Sequence, residues 1–363
     1  MSRRPPLLER VGTNAMLRWS AGVGPSTGQA VHLLDDTERA AVRRVERAAL
    51  LRAALAGALS ALAAALADAV VRDHEDSDPV LYWAVVGGVS AVAAVSEIAF
   101  LSWDALRSAH GIRVAAGVAL DDERERAHIL AILVRAALEV PSPPDTVPGV
   151  NPLKETSRWR MVLAGLAYKL KVSATNVLFK QLLRRALGRA AVRAWLQFIS
   201  IPITAAWNVF TCARILREVR VRAFGPSLAR DVVARLVPAD VPVAPPLAES
   251  LVRAVGACVV RSADPHPNLA RMLDELQRRL GGARPASLDD PALFLRGLGA
   301  LTPEHATVVL RLLRAAVVCD GRVARRERSL VAEVCALVGA PNDAVGLDHE
   351  RRRVIAGEQL VLP

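Results

Sequence analysis

The chain has 363 residues, of which 52% are hydrophobic but only 4% aromatic, and a net charge of +11 at neutral pH. A charge of this size favours an anionic partner, either lipid or nucleic acid. The sequence contains no GxSxG, HExxH or P-loop motif, and no GxGxxG follows a predicted strand, so we predict that the protein is not an enzyme. Four cysteines are scattered without the spacing of metal ligands, which predicts reduced, buried thiols: Cys212, Cys258, Cys319 and Cys335.

The sequence predicts an all-α fold whose first part is organised around two apolar runs. Residues 1–37 are predicted to be a flexible cytoplasmic arm, and a helical region at 38–139 follows, with Asp35 and Asp36 as helix caps. Within this region the runs at about 52–72 and 79–103 carry almost no charge. A helix needs roughly 20 apolar residues to cross a bilayer, so the two runs predict a transmembrane hairpin.

The ends of the hairpin predict its orientation. Trp83 and Trp103 would lie about 30 Å apart on the second helix, the spacing of two aromatic belts. The turn at 73–78 is acidic, whereas arginines flank the other end of both helices. Because Lys and Arg accumulate on the cytoplasmic side, we expect both termini in the cytoplasm and the hairpin in a bacterial inner membrane.

Charged residues within the hairpin require partners, because an ionised group at mid-bilayer costs at least about 2.5 kcal/mol. The intramembrane polar residues are Arg52, Asp68, Glu97 and Asp104. Antiparallel pairing predicts that Glu97 lies within a turn of Arg52, and Asp68 precedes Arg72 by one helical turn.

An alternative gives these acids a function. Glu97 and Asp104 are two turns apart on one helix face, with His110 nearby, and could form an ion or proton site. The chain would then be a small transporter or channel component that oligomerises through Gly87 and Gly88.

A proline-rich linker at 140–152 precedes a basic helical region at 153–237. No acidic residue occurs between Thr156 and Arg217, and aromatic residues are interleaved with the basic ones. This pattern favours contact with the anionic inner leaflet, where each basic residue contributes about 1 kcal/mol. The predicted lipid-contacting residues are Arg158, Arg160, Lys169, Lys171, Lys180, Arg184, Arg185, Arg189 and Arg193. A solvated basic face and a soluble nucleic-acid binder are the alternatives, and no nucleic-acid motif is present.

The uncharged segment at 194–213 is long enough to span a membrane, but polar residues and Pro202 dilute it. Arginines flank both ends, so the charge rule does not favour a crossing. We predict a helix pair bent at Pro202 that packs on the hairpin or lies in the inner leaflet, with a third span as the alternative. A separate short helix is predicted from Ser227 to Val237.

Residues 247–363 are predicted to form a cytoplasmic module of amphipathic helices that binds a protein partner. The predicted helices span about 247–262, 268–280, 290–300, 303–319, 325–339 and 348–356, and Asn268 is predicted to cap the second. The segment 315–327 reads AAVVCDGRVARRE, in which one helix ends at Asp320–Gly321 and Glu327 opens the next. This junction resembles that of the TerB-like domains of bacterial tellurite-resistance proteins, although Ala324 stands where a polar cap is typical.

Asp320 and Glu327 have two interpretations. They can be purely structural, with Gly321 in the left-handed conformation and Glu327 at the helix N-terminus. The TerB-like resemblance implies instead a divalent-cation site or an acidic docking spot. Two carboxylates are too few for a closed Ca²⁺ site, and the arginines of the loop oppose a cation.

The whole layout also resembles an uncharacterised family of bacterial membrane proteins. The shared features are the hairpin, the 140–152 link, and a central helix with Trp207–Asn208 that ends in the segment 220–226, which reads RVRAFGP. The resemblance implies a location rather than an activity. We therefore expect a membrane-anchored scaffold or sensor in a stress or envelope system.

Overall fold

The computed structural model describes residues 6–20, 34–117, 123–154, 192–282, 285 and 287–362, and within these ranges the regular secondary structure is entirely helical. This confirms the predicted all-α class. The α-helices of the described ranges are α1 (Leu7–Ser20), α2 (Asp36–Val71), α3 (Pro79–Ala115), α4 (Glu123–Ala137), α5 (Val192–Leu236), α6 (Pro245–Ser262), α7 (Pro267–Arg279), α8 (Pro291–Leu298), α9 (Pro303–Val318), α10 (Arg325–Val338) and α11 (Ala344–Ala356).

The chain forms two compact units that alternate along the sequence. The hairpin unit comprises Arg43–Ser108 and Arg158–Leu216, and the bundle unit comprises Met1–Val42, Ala109–Ser157 and Arg217–Pro363. The boundaries between the units fall within α2, α3 and α5, so these three long helices contribute to both.

The apolar runs of the hairpin form two long helices, as predicted. At the start of α2, the Asp35 carboxylate accepts a hydrogen bond from the Glu38 N–H (2.7 Å) and the Glu38 carboxylate accepts one from the Asp35 N–H (3.0 Å), which makes a capping box. A 3₁₀ turn at Arg72–His74 ends the first helix, and Pro79 occupies the first position of the second. Both α2 and α3 are long and apolar enough to cross a membrane.

In α2 and α3 the side chains are distributed in the opposite way to those of a water-soluble protein: many apolar side chains are exposed, and some polar ones are buried. Only 28% of the most apolar window of α2 and 6% of that of α3 are buried. Large apolar side chains such as Leu59, Val92 and Ile98 are exposed, whereas the polar side chains of Glu97 and Asp104 are buried. The hydrophobic effect would not select this distribution in water.

The central helix differs from the prediction. We expected a helix pair bent at Pro202 and a separate short helix from Ser227, whereas α5 is one helix that continues through Pro202 and Pro226. The expected division into separate helices was wrong because a proline removes one backbone hydrogen bond without necessarily ending a helix.

The core of the bundle unit is built around α6, which packs against α7, α8, α9 and α10. Its side chains from Ala254 to Val260 are completely or almost completely buried. Proline stands at the first turn of α6, α7, α8 and α9, where its missing N–H costs no hydrogen bond. The observed ends of the module's helices lie within four residues of the predicted ones, and these prolines mark where four of the helices begin. In the same unit α1 packs against α4, and Glu9 and Arg135 form a buried ion pair (2.9 Å). The prediction of a flexible arm was therefore wrong for residues 7–20, whose helix is held by contacts with α4.

Candidate functional site at the Asp320–Gly321 junction

The junction between α9 and α10 is a tight turn that requires glycine. Gly321 has a φ of +72°, in the left-handed region, and a Cβ there would lie 3.0 Å from Val221 and 3.2 Å from Ile355. The Asp320 carboxylate accepts a hydrogen bond from the Arg322 N–H (2.7 Å), which closes the turn. The sequence therefore predicted the shape of this junction correctly.

Glu327 caps the following helix from inside the core. Its Oε2 accepts a hydrogen bond from the N–H of Ala324 (2.7 Å), so the acid supplies the cap that the alanine cannot. The thiol of Cys258 on α6 donates to Oε1 (3.4 Å). Only 1% of the Glu327 residue surface is exposed, so this carboxyl group is part of the apolar interior.

Burial changes the proton affinity of both acids. Burial and then the charge of Asp320 raise the pKa of Glu327 to about 8, which makes it a neutral hydrogen-bonding group at physiological pH. Burial also raises the pKa of Asp320, to about 6. The same low-polarity surroundings raise the pKa of the Cys258 and Cys319 thiols well above their ordinary value, so neither thiol is suited to nucleophilic chemistry.

A second cluster, which the sequence did not predict, surrounds Glu218 of α5. The Glu218 carboxylate bonds His266 (3.2 Å), Arg222 (2.9 Å) and Arg322 (2.8 Å). Burial acts to raise the pKa of Glu218, but the hydrogen bond to His266 and the two guanidinium groups outweigh it and hold the pKa well below its usual range. Because His266 Nδ1 accepts the Asn268 N–H (3.2 Å), its Nε2 is the nitrogen placed to donate to Glu218.

Asn268 connects α7 to both neighbouring segments. Its Nδ2 donates to the Val221 carbonyl of α5 (3.0 Å) and to the Cys319 carbonyl at the end of α9 (2.7 Å). A Cβ at Gly225 would lie 1.9 Å from Asn268 Oδ1, so only glycine fits there. The prediction that Asn268 caps α7 was wrong. His266 is the N-cap residue, and the Asn268 side chain instead bonds α5 and the end of α9. No local sequence signal marks this role, because it depends on how α5 and α7 pack.

The four predicted intramembrane polar residues all have hydrogen-bond partners, in part other than the predicted ones. Arg52 bonds Asp104 (2.6 Å) and Ser108 rather than Glu97. Glu97 instead accepts a hydrogen bond from Asn208 of α5 (2.7 Å). The same Asn208 amide also bonds the Ala53 carbonyl, so Glu97 lies beside the turn of α2 that contains Arg52, as predicted. Its hydrogen-bond partner, however, comes from a third helix, more than a hundred residues further along the chain.

Of the remaining predicted contacts, one is confirmed, and most of the others involve residues outside the described ranges. Arg72 pairs with Asp68 as predicted (3.1 Å), and the Tyr82 hydroxyl also donates to Asp68. In the bundle unit His110 lies against the ring of Trp19. Of the predicted lipid-contacting residues, only the backbone of Arg193 falls within the described ranges; the others, Arg158, Arg160, Lys169, Lys171, Lys180, Arg184, Arg185 and Arg189, lie outside them.

The arrangement at the junction is typical of a structural joint. Within the part of the chain that the structure describes, no group of three or more His, Cys, Asp or Glu side chains is arranged to hold a metal ion. A cation held by Asp320 and Glu327 stays a prediction. Comparison with known proteins provides no further guide, since no family model, curated protein or solved structure matches the chain.

Proposed function

We propose that the protein is a non-enzymatic scaffold or sensor, anchored in a bacterial inner membrane by the α2–α3 hairpin. Its C-terminal helices form a TerB-like cytoplasmic module that binds a protein partner in a stress or envelope system. The proposal gives the hairpin the role of an anchor and the module the role of an adaptor.

The observation that carries this proposal is the reversed side-chain distribution of the hairpin. Two helices of this length that were the core of a soluble protein would be mostly buried, yet 6% of the apolar window of α3 is buried. Leaving so many large apolar side chains in water would cost about 25 cal/mol for each Å². Lipid removes that cost, and the Trp83 and Trp103 side chains, which are 60% and 51% exposed, suit the two interfaces.

The charge pattern supports the orientation. The exposed turn at residues 73–78 contains four acids, whereas the opposite ends of α2 and α3 carry arginines. By the positive-inside rule the arginine ends face the cytoplasm. The chain after α3 would then begin on the cytoplasmic side.

The contacts of the buried acids favour an anchor over a transporter. Glu97 is hydrogen-bonded to Asn208 and Asp104 is paired with Arg52, so both acids have close protein partners. An ion pathway needs a group that exchanges its ligand with water or with an ion. The transporter alternative predicts that Glu97→Gln abolishes ion flux in liposomes, and that measurement tests it.

The test is fractionation of cells that express the full-length chain. We expect the protein in the membrane fraction, resistant to alkaline carbonate and released only by detergent. Alkaline carbonate strips peripheral proteins, so it separates an inserted hairpin from a basic surface that merely adheres to lipid. Recovery of folded protein in the detergent-free supernatant would contradict the proposal.

A further inference from the structure

The first half of α5 has the same reversed distribution as the hairpin. Between Ser200 and Ala213 its exposed residues are apolar, and they include Trp207 (44% exposed) and Phe210 (53% exposed). Its buried side chain is the amide of Asn208. A helix on the surface of a soluble protein presents its polar side chains to water, so this arrangement is the opposite of the one that water selects.

The buried face of this segment fits closely against α2. A Cβ on Gly57 would lie 2.9 Å from the Thr204 carbonyl oxygen and 2.6 Å from the side-chain nitrogen of Asn208, so glycine permits the approach. Asn208 Nδ2 also donates to the Ala53 carbonyl (3.3 Å) and to Glu97 (2.7 Å). Small residues and interhelical hydrogen bonds of this kind join helices in lipid.

These contacts fix the direction of α5 beside the hairpin. Thr204 lies beside Gly57, and Asn208 bonds the Ala53 carbonyl four residues earlier on α2. Residue numbers therefore rise along α5 as they fall along α2. The helix runs antiparallel to α2 and parallel to α3.

The length of α5 carries it to the level of the hairpin turn. At 1.5 Å per residue, Val192 lies about 24 Å from Asn208 along the helix, and Val71 lies about 27 Å from Ala53 along α2. Since the two helices are antiparallel, the start of α5 and the end of α2 lie at similar positions along the axis of the hairpin. The segment from Ala194 to Ala213 has no charged residue over this distance.

We infer that residues 192–213 form a third membrane-embedded helix, docked on the hairpin through Asn208, with the bilayer core as the partner of its exposed face. Arg214 lies over the Phe210 ring (6.0 Å to its centroid), an aromatic–arginine pair suited to the cytoplasmic interface. Val192 then lies on the same side as the acidic turn. Because Lys154 pairs with Asp289 of the cytoplasmic bundle unit, this topology requires one further crossing between Lys154 and Val192. The inference rests on the proposed membrane anchor, and it reverses our preference for a helix pair bent at Pro202 and the expected inner-leaflet contact of Arg193.

The experiment is a thiol-blocking assay on intact cells that express full-length variants. Single cysteines are introduced at Ser77, Val192, Arg193 and Glu358, and the parent chain measures the background from the native thiols. A membrane-impermeant maleimide is added outside, the cells are washed and dissolved in SDS, and the thiols that remain free are labelled with a fluorescent maleimide.

We expect the cysteines of Ser77→Cys, Val192→Cys and Arg193→Cys to be blocked from outside, and that of Glu358→Cys to remain free. If Ser77→Cys is blocked while both Val192→Cys and Arg193→Cys remain free, the third span is wrong and the hairpin stands. If all four remain free, the hairpin and the third span both fail. Cells permeabilised before the blocking step are the control, because a position that is blocked in them but remains free in intact cells faces the cytoplasm.

Discussion

At the scale of the residue, Glu327 illustrates how burial converts a charged side chain into a neutral structural one. Its pKa rises from an ordinary value of 4.5 to about 8 on folding. Between these two values the unfolded chain loses the proton and the folded chain retains it. Stability therefore falls as the pH rises from about 4.5 to about 8, by at most about 1.4 kcal/mol for each unit of pKa difference. Asp320, with a pKa raised to about 6, adds to this loss in the lower part of the range.

We predict that Glu327→Gln flattens this pH dependence. Glutamine reproduces the neutral acid and can still accept the Ala324 N–H, but it cannot ionise in the unfolded chain. The measurement is the melting temperature of the detergent-solubilised full-length protein between pH 5 and pH 8. The parent is expected to lose stability over this range and Glu327→Gln to lose clearly less.

Glu333→Gln is the matched control for that substitution. Glu333 is on the same helix, but its side chain is 37% exposed and bonds Ser329 and Arg261 at the surface. We expect it to retain the parental pH dependence. An equal fall in melting temperature for Glu327→Gln and the parent would show that the Glu327 carboxyl group is not the source.

The sequence indicated the roles of Asp320, Gly321 and Glu327 but not their surroundings. Local spacing is enough to predict a left-handed glycine and an N-terminal acid. It does not reveal that Glu218, His266 and Asn268 surround the same turn, because those residues are about 50 to 100 positions away. Their proximity depends on how α5 and α7 pack, which no local pattern encodes.

At the scale of the element, the helices of the C-terminal module were predictable because their ends are marked by proline, glycine and capping residues. Asp290 and Thr302 cap α8 and α9, and a left-handed glycine follows α10 and α11. The long helix α5 was not predictable in the same way. In the sequence, Pro202 and Pro226 look like residues that end a helix. The structure shows that the helix continues through both.

We predict that the fit between α5 and α2 makes Gly57 intolerant of even one methyl group. A Cβ at Gly57 would overlap Asn208 and Thr204, so Gly57→Ala must separate the two helices or break the Asn208 hydrogen bonds. We expect a loss of about 1–3 kcal/mol, as for overpacking elsewhere. The measurement is the unfolding temperature of the full-length protein in detergent micelles.

Gly87→Ala provides the comparison on the other apolar helix. Among the described residues, no atom outside the local helix lies within 4 Å of a Cβ placed at Gly87, so alanine adds helix propensity without a clash there. We expect this variant to be as stable as the parent or slightly more stable. If Gly57→Ala were equally well tolerated, the close approach of α5 to α2 would be incorrect.

At the scale of the whole molecule, the proposed membrane anchor accounts for two different distributions of side chains. In the bundle unit the apolar side chains of α6 are buried, as water requires, whereas in the hairpin unit large apolar side chains are exposed. Composition alone predicted the apolar helices, since length and hydrophobicity are enough for that. It could not predict which polar residues would pair inside them.

The net charge of +11 belongs to this same scale. It suits attraction to an anionic leaflet, because basic residues near a membrane contribute free energy that decreases within a Debye length. Salt weakens such attraction, whereas it does not weaken the hydrophobic insertion of a hairpin. The distribution of apolar side chains, rather than the charge, is therefore the feature on which the membrane proposal depends.

The most direct test of this claim replaces two exposed apolar residues with aspartate in each unit. Val92 and Val95 are 68% and 67% exposed near the middle of α3, and Leu337 and Val345 are 61% and 77% exposed in the bundle unit. In lipid the α3 pair would cost at least about 5 kcal/mol, whereas in water either pair would be nearly neutral.

The measurement is the fraction of full-length protein retained in carbonate-washed membranes. We predict that the double variant Val92→Asp/Val95→Asp is lost from that fraction while Leu337→Asp/Val345→Asp is retained at the parental level. Equal behaviour of the two double variants, with both folded in the absence of detergent, would contradict the account.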